Sequence, residues 1–219
     1  MEERKGNNEV FVIGEATRNF RYSHDVRGQK FYETELAVPR VSGVVDCIML
    51  IISETMIDLN KDYTGEFLAV TGEYRSCRKT EGEKSHVVLY LSASDFKVVT
   101  EEEDVCAENN IYLDGYICKK TNFRVTKAGH EIMDGIVAVN RPGFKSDYIP
   151  CIFWNQHAID LKNMSIGTHI RLTGRIQSRD YIKYEPDGEI KRTAYEVSVK
   201  EMHVIENTLL KNHTMVAVM

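Results

Sequence analysis

The chain repeats one pattern of glycines and small residues at an offset of about one hundred positions. Three features recur 101 residues later: Gly14 and Gly115, Gly28 and Gly129, and Ala37-Val38 and Ala138-Val139. An offset that changes little along the chain is typical of two copies of one fold that differ only in their loops. We therefore predict two domains, at residues 7–100 and 107–207. The acidic run Glu101-Glu102-Glu103-Asp104 is the predicted linker, and residues 208–219 form a tail.

Both copies are predicted to contain five β-strands with one short helix between the third and fourth strands. Alternating apolar residues place the strands of copy two at 111–117, 132–139, 149–154, 168–181 and 193–204, with a helix over 156–164. In copy one the strands fall at 10–14, 31–38, 47–52, 67–74 and 87–99, with a helix near 54–59. This order favours an all-β protein of two tandem OB-folds, five-stranded Greek-key barrels that often bind oligonucleotides.

Composition and motifs exclude several other classes of protein. No apolar run approaches the roughly 20 residues that a membrane-spanning helix needs, and the charged N-terminus is no secretory signal. The five scattered cysteines lack a CxxC pair, which indicates reduced thiols in a cytoplasmic protein rather than a disulfide framework or zinc site. Phosphate-loop, dinucleotide and HExxH metal motifs are missing, so we expect no cofactor, no metal and no enzyme activity.

Charge is distributed unevenly between the two copies. The net charge of the chain is -5, but residues 1–106 hold 13 Lys and Arg against 20 Asp and Glu. Residues 107–207 hold 14 against 13, a balance of +1. Because binding of an anionic polymer depends on the local field, copy two is the better candidate for contact with nucleic acid.

Strand alternation predicts that copy two exposes rings and cations on one surface. In its third strand, Cys151 and Phe153 face inward, whereas Tyr148 and Trp154 face outward. The outward positions of its fourth strand include Arg171, Arg175, Arg179, Tyr181 and Lys183. Bases stack on such rings while the cations follow the phosphates, so this surface is typical of single-stranded nucleic-acid binding. Tyr195, in phase with Val197, is assigned to the core.

Copy one lacks most of these side chains. We match Cys151 with Cys47, Trp154 with Leu50, Tyr148 with Val44, Tyr181 with Lys79, Arg175 with Glu73, Arg171 with Ala69 and Phe144 with Gly43, whereas Arg141 keeps its counterpart in Arg40. If these residues only supported a barrel, both copies would need them. We therefore expect copy two to bind nucleic acid and copy one to have a structural or assembly role.

Several stretches of copy two resemble the bacterial single-stranded DNA-binding protein family. They are residues 122–129, 136–141, 148–154, 174–181 and 193–197. The resemblance implies that Tyr148, Trp154 and Tyr181 stack bases, with Phe144 near a further stacking position. The complete set of expected nucleic-acid-binding residues is Arg124, Arg141, Phe144, Tyr148, Trp154, Arg171, Arg175, Arg179, Tyr181 and Lys183.

The resemblance also implies a partner and an assembly. The partner is single-stranded DNA in replication, recombination or repair, and two barrels per chain imply a homodimer that presents four OB-folds. Family members usually recruit replication and repair proteins through an acidic tail, and residues 208–219 carry no acid. Three alternatives stay open: a protein-interaction module with little DNA affinity, RNA as the ligand, and a metal-dependent nuclease built on Asp180, Glu185 and Asp187.

Overall fold

The computed structural model describes residues 6–81, 84–99, 106–185 and 188–205. These residues form eleven strands, one α-helix and one three-residue 3-10 helix at Glu54–Met56. The strands of the first copy are β1 (Asn8–Ala16), β2 (Arg21–Val26), β3 (Gln29–Pro39), β4 (Val45–Ser53), β5 (Phe67–Glu81) and β6 (Lys84–Val99). The second copy contains β7 (Glu108–Val125), β8 (Glu131–Arg141), β9 (Lys145–Trp154), α1 (Gln156–Asn163), β10 (His169–Glu185) and β11 (Gly188–Val204).

Each copy closes into a barrel, which we call barrel one (β1–β6) and barrel two (β7–β11). In barrel two, β7, β8 and β9 form an antiparallel meander, β9 pairs in parallel with β11, and β10 closes the barrel by pairing with both β11 and β7. Barrel one repeats this order, with β1 and β2 together in the place of β7. The prediction of two tandem OB-folds is therefore confirmed.

The barrel interiors are filled by the alternate apolar residues of each strand. In barrel two the inward positions of β10 are Ile170, Leu172 and Ile176, and each is buried. Cys151 and Phe153 on β9 are buried beside them. The predicted inward faces of both strands are therefore correct.

Barrel one differs from its predicted outline at two places. Its first strand ends at Ala16, and in the segment that follows the side-chain oxygen of Asn19 accepts the N–H groups of Phe20 and Tyr63. The chain then re-enters the sheet as β2, a strand that the sequence pattern did not predict. The expected helix near 54–59 is only the 3-10 turn Glu54–Met56, which ends where Ile57 becomes extended.

The two barrels share one continuous sheet through their first strands. β1 and β7 pair antiparallel, with Val10 opposite Ile111 at the centre of the pairing. The recurrent glycines Gly14 and Gly115 lie beside this junction, where a Cβ atom would stand 2.9 Å and 2.5 Å from a carbonyl oxygen of the next strand. Such close backbone approach explains why both copies keep glycine there.

No helix within the described ranges is long and apolar enough to cross a membrane.

Candidate nucleic-acid interface

An open groove with a volume of about 810 Å³ runs along barrel two where it meets barrel one. We call it the main groove. Strands β7 to β11 of barrel two supply one wall, and β3, β4 and the turn between them in barrel one supply the other. Its lining contains two aromatic rings and four guanidinium groups, those of Trp154, Tyr195, Arg40, Arg124, Arg175 and Arg179.

Trp154 is fixed at the end of β9 with one part of its ring facing the groove. The strand alternation that buries Phe153 turns Trp154 outward, and the ring is half-buried. Its indole Nε1–H donates a hydrogen bond to Ser198 Oγ at 3.1 Å. Because this bond limits rotation of the ring, Trp154 offers a preorganised surface for stacking.

The arginines of the groove differ in how fully they are paired. Arg124 contacts Asp134 at 2.5 Å, and Arg179 lies 3.8 Å from Glu196 in a looser contact. Within the described residues, the guanidinium of Arg175 makes neither a hydrogen bond nor an ion pair. Partial desolvation, together with the charge of Arg40, lowers the pKa of Arg175 below its ordinary value, although Asp46 opposes the shift. A guanidinium without a partner is available to an anionic ligand.

Three further predicted aromatic residues are exposed but lie outside the lining of the main groove. Tyr148 on β9 is 49% exposed and Tyr181 on β10 is 38% exposed. Phe144 stands fully exposed in the turn between β8 and β9, with a positive φ of 59°. A bulky residue in the left-handed region costs on the order of 1 kcal/mol, and strain of this kind is concentrated at functional sites.

Two predicted basic residues are engaged in ion pairs away from the groove. Arg141 contacts the buried carboxylate of Asp147 at 3.2 Å. Arg171 lies on the part of β10 that pairs with β7, where its Nε is 2.7 Å from Asp114. Ten residues of strand separate Arg171 from Tyr181, which corresponds to about 33 Å of extended chain. The structure therefore does not bring Arg171 into the main groove.

Some predicted features fall beyond the described parts of the structure. They are the side chain of Lys183, the linker at 101–104 and the tail at 208–219. Tyr195 is described and packs against the core as its phase predicts, but it is only partly buried and also lines the main groove.

Strand pairing corrects three of the residue matches between the copies. Ala37 lies opposite Cys47, and its counterpart Ala138 lies opposite Tyr148. The offset therefore stays at 101 through the third strand, so the counterpart of Tyr148 is Cys47 and that of Trp154 is Ser53. The expected matches with Val44 and Leu50, and the match of Cys151 with Cys47, were wrong. They assumed a longer loop in copy two, which the structure does not have.

Barrel one has a groove of its own that the matching of positions missed. This second groove has a volume of about 840 Å³, and Tyr22, His24, Tyr90, Arg78 and Lys79 are among its lining residues. The ring of His24 stacks on Phe31 with 5.1 Å between centroids, and Tyr22 is 56% exposed. At the offset of 101, Tyr22 corresponds to Phe123, whereas His24 and Phe31 correspond to the aliphatic Val125 and Ile132. Phe123 is not among the expected binding residues, so the comparison that started from copy two did not reveal this groove. Tyr195 lines both grooves.

The fold and the two grooves define a tandem OB-fold protein, and the main groove is lined both by arginines and by the carboxylates of Glu35, Asp180 and Glu196. Residues 108–205, essentially all of barrel two, match the sequence profile described as the Single-strand binding protein family. Over barrel two, the chain is therefore similar to bacterial single-stranded DNA-binding proteins.

Known proteins from several bacteria share this similarity. "Single-stranded DNA-binding protein 3" of Streptococcus agalactiae is 37% identical over 81 residues, covering 33% of this chain and 58% of the relative. The "Single-stranded DNA-binding protein" of Oceanobacillus iheyensis is 30% identical over 98 residues, covering 42% of this chain and again 58% of the relative. The chain thus matches little more than half the length of these relatives.

Solved structures extend the likeness to both barrels. A crystal structure of a deletion mutant of the single-stranded DNA binding protein from Thermus aquaticus superposes with a TM-score of 0.73 and 17% identity. The superposition covers 94% of this chain and 97% of that one. The wild-type Thermus aquaticus protein gives a TM-score of 0.69 over 91% of this chain. At this level of identity the likeness establishes the shared architecture.

Proposed function

We propose that the protein binds single-stranded DNA in the main groove without base preference and protects it during replication, recombination or repair. One observation carries the proposal: the fixed ring of Trp154 and the unpaired guanidinium of Arg175 line the same open groove. A flat ring accepts any base, and a guanidinium fork accepts any phosphate, so neither contact requires a particular sequence.

Stacking supplies the base contacts in this proposal. A base stacked on an aromatic side chain contributes about 1–3 kcal/mol, and Trp154 is the best-placed ring in the main groove. Phe144 lies in the β8–β9 turn and Tyr148 on β9, both outside the lining of the main groove, and we propose them as further stacking surfaces. The backbone strain at Phe144 supports this role, because nothing in the turn itself requires a phenylalanine.

The two barrels have unequal roles. Barrel two carries the stacking ring and most of the cations, whereas barrel one forms the opposite wall of the groove and fixes its width through the shared sheet. We further propose that two chains associate and so present four barrels. Sedimentation at twice the chain mass of 25.1 kDa would support that assembly, and sedimentation at the chain mass would contradict it.

Fluorescence of Trp154 tests the proposal directly, because it is the single tryptophan of the chain. Titration with oligo-dT is expected to quench its emission, and the apparent affinity is expected to fall steeply as salt is raised. Oligo-rU in the same assay compares RNA with DNA. A protein that causes no gel shift and no quenching at low salt would contradict the proposal and favour a protein-interaction module.

Charge reversal then compares the two barrels. The double substitution Arg175→Glu and Arg179→Glu is expected to abolish binding at physiological salt, whereas Glu73→Arg, at the matching position of barrel one, is expected to leave it intact or stronger. Equal losses from both changes would contradict the unequal roles of the barrels.

A further inference from the structure

The junction between the barrels contains a cluster of charged groups that is only partly neutralised. Arg40 of barrel one forms a bidentate pair with Asp46, with Nε–Oδ2 at 2.7 Å and Nη2–Oδ1 at 2.5 Å. Asp46 is fully buried and also accepts the backbone N–H of Ser178 at 2.8 Å. Its carboxylate is thus fully engaged, and the guanidinium of Arg40 is held in one orientation at the edge of the main groove.

Arg175 of barrel two faces the same place. It lines the main groove together with Arg40, and the two arginines also line a neighbouring side cavity of about 590 Å³. Partial burial lowers the pKa of Arg175, and the nearby charge of Arg40 lowers it further. Two cations thus face one cavity, where the adjacent buried carboxylate already serves Arg40 and a backbone amide.

The opposite junction provides an internal comparison, because the two barrels are related by an approximate two-fold axis through the β1–β7 pair. There Asp147 is the counterpart of Asp46, and it contacts Arg141 at 3.2 Å and Arg75 at 2.8 Å. The counterpart of Arg175 is Glu73, which pairs with Arg75. Two cations and two carboxylates close that cluster, whereas Asp46 is the one carboxylate in contact with Arg40 among the described residues, and Glu196 attracts Arg40 without forming an ion pair with it.

We propose that Arg40 and Arg175 together bind one phosphate group of the nucleic-acid strand, so that barrel one supplies a direct phosphate contact to the groove of barrel two. The inference rests on the proposed function. The fork of Arg175 and the N–H groups of Arg40 that Asp46 does not engage can donate to one phosphate, and the bound anion offsets the repulsion between the two cations. The site exists only where both barrels meet, so barrel two alone would lack it.

Salt dependence of binding measures the number of phosphates that the protein neutralises. For a single strand, the slope of log K against log[salt] becomes shallower by about 0.7 for each phosphate that is no longer neutralised. Arg175→Gln and Arg40→Gln are each expected to reduce the slope of oligo-dT binding by that amount. The double variant is expected to show no larger reduction than either single variant, because both side chains serve one phosphate. Arg40→Lys, which keeps the charge, is expected to keep the slope.

Lys61→Gln serves as the control, since it removes one positive charge from a surface position outside both grooves. It is expected to leave the slope unchanged. A reduction of about 1.4 in the salt slope of the double variant would assign the two arginines to separate phosphates and overturn the proposal. An unchanged slope in Arg175→Gln, or an equal fall in Lys61→Gln, would overturn it as well. Arg175→Gln breaks no hydrogen bond or ion pair among the described residues, so the variant is expected to fold.

Inorganic phosphate separates the site from the wider function. At equal ionic strength, phosphate is expected to raise the thermal midpoint of the wild-type protein above that in chloride, and Arg175→Gln is expected to lose part of that rise. A wild-type protein that responds to phosphate but not to oligo-dT would contradict DNA binding while supporting the site. An equal response in wild type and variant would overturn the site alone.

Discussion

Asp46 in barrel one accepts the backbone N–H of Ser178 in barrel two at 2.8 Å, and the same contact recurs across the junction between Asp147 and Ser76 at 2.8 Å. Both carboxylates are fully buried. Each barrel therefore places one buried acid into the other, and the two contacts fix the relative position of the barrels. The walls of the main groove keep their spacing for the same reason.

Asp147→Asn is expected to lower the free energy of unfolding by about 3 kcal/mol, because it removes the buried charge that Arg75 and Arg141 share. Urea denaturation followed by circular dichroism measures the change. Glu66→Gln, which breaks the surface pair between Lys61 and Glu66, is the matched control and is expected to cost less than about 1 kcal/mol. Equal costs would show that the junction carboxylate has no special role.

Tyr74→Phe is expected to leave the protein as stable or up to about 1 kcal/mol more stable, because the buried hydroxyl of Tyr74 has no hydrogen-bond partner in the described structure. Burial also raises the pKa of Tyr74 far above its ordinary value. Tyr63→Phe is the matched comparison, since the hydroxyl of Tyr63 accepts the N–H of Asp58 at 3.0 Å. The free energy of unfolding of Tyr63→Phe is expected to fall by about 1 kcal/mol, and thermal unfolding of both variants measures the change. A Tyr74→Phe variant that is less stable than Tyr63→Phe would contradict the structure of the core.

Phe144→Gly separates stability from binding at one position. Glycine adopts the positive φ of 59° without strain, so the variant is expected to unfold no more easily than the wild type. If Phe144 stacks a base, affinity for oligo-dT is expected to fall by about 5- to 150-fold, which corresponds to 1–3 kcal/mol. Asparagine also tolerates a positive φ, so Phe144→Asn is expected to match Phe144→Gly in stability and in affinity. Unchanged affinity in both variants would remove Phe144 from the interface.

Acid is expected to weaken the contact between β7 and β10. Partial burial raises the pKa of Asp114, but hydrogen bonds from His169 and Arg171 outweigh this and hold it below its ordinary value of 3.8. A depressed pKa in the folded state stabilises the protein above pH 3.8, and that stabilisation is lost as the pH falls further. Asp114→Asn should therefore be less stable than the wild type near neutral pH, with a gap that narrows below pH 3.8. A gap that does not change with pH would contradict this account.

Much of the fold follows from local patterns in the sequence. Alternation along β9 and β10 is a property of the pleated strand, so the buried Phe153 and Ile176 and the outward Trp154 and Arg175 could be predicted from residue order alone. Elements that depend on single contacts between distant residues could not be predicted in this way. The segment that follows Ala16 is one example, since the side chain of Asn19 there accepts the N–H of Tyr63, a residue distant in sequence.

The candidate site was predictable only in part, for the same reason. The sequence indicated that Arg171 and Arg175 share one face of a strand, but Arg171 lies where β10 pairs with β7 and contacts Asp114 there instead of lining the groove. The sequence marked Arg40 only as the counterpart of Arg141, because its position beside Arg175 depends on how two barrels pack. The rings of the second groove were likewise missed, since the comparison started from the expected binding residues of copy two, and Phe123, the counterpart of Tyr22, is not one of them.

By itself the sequence determined that two similar barrels exist and which side of each strand faces inward, because period-two alternation and recurrent glycines are local properties of the chain. Only the tertiary structure decided how the barrels share a sheet between Val10 and Ile111 and which cations of different barrels meet in one groove. Those contacts join residues more than a hundred positions apart, and their geometry is set by packing rather than by residue order.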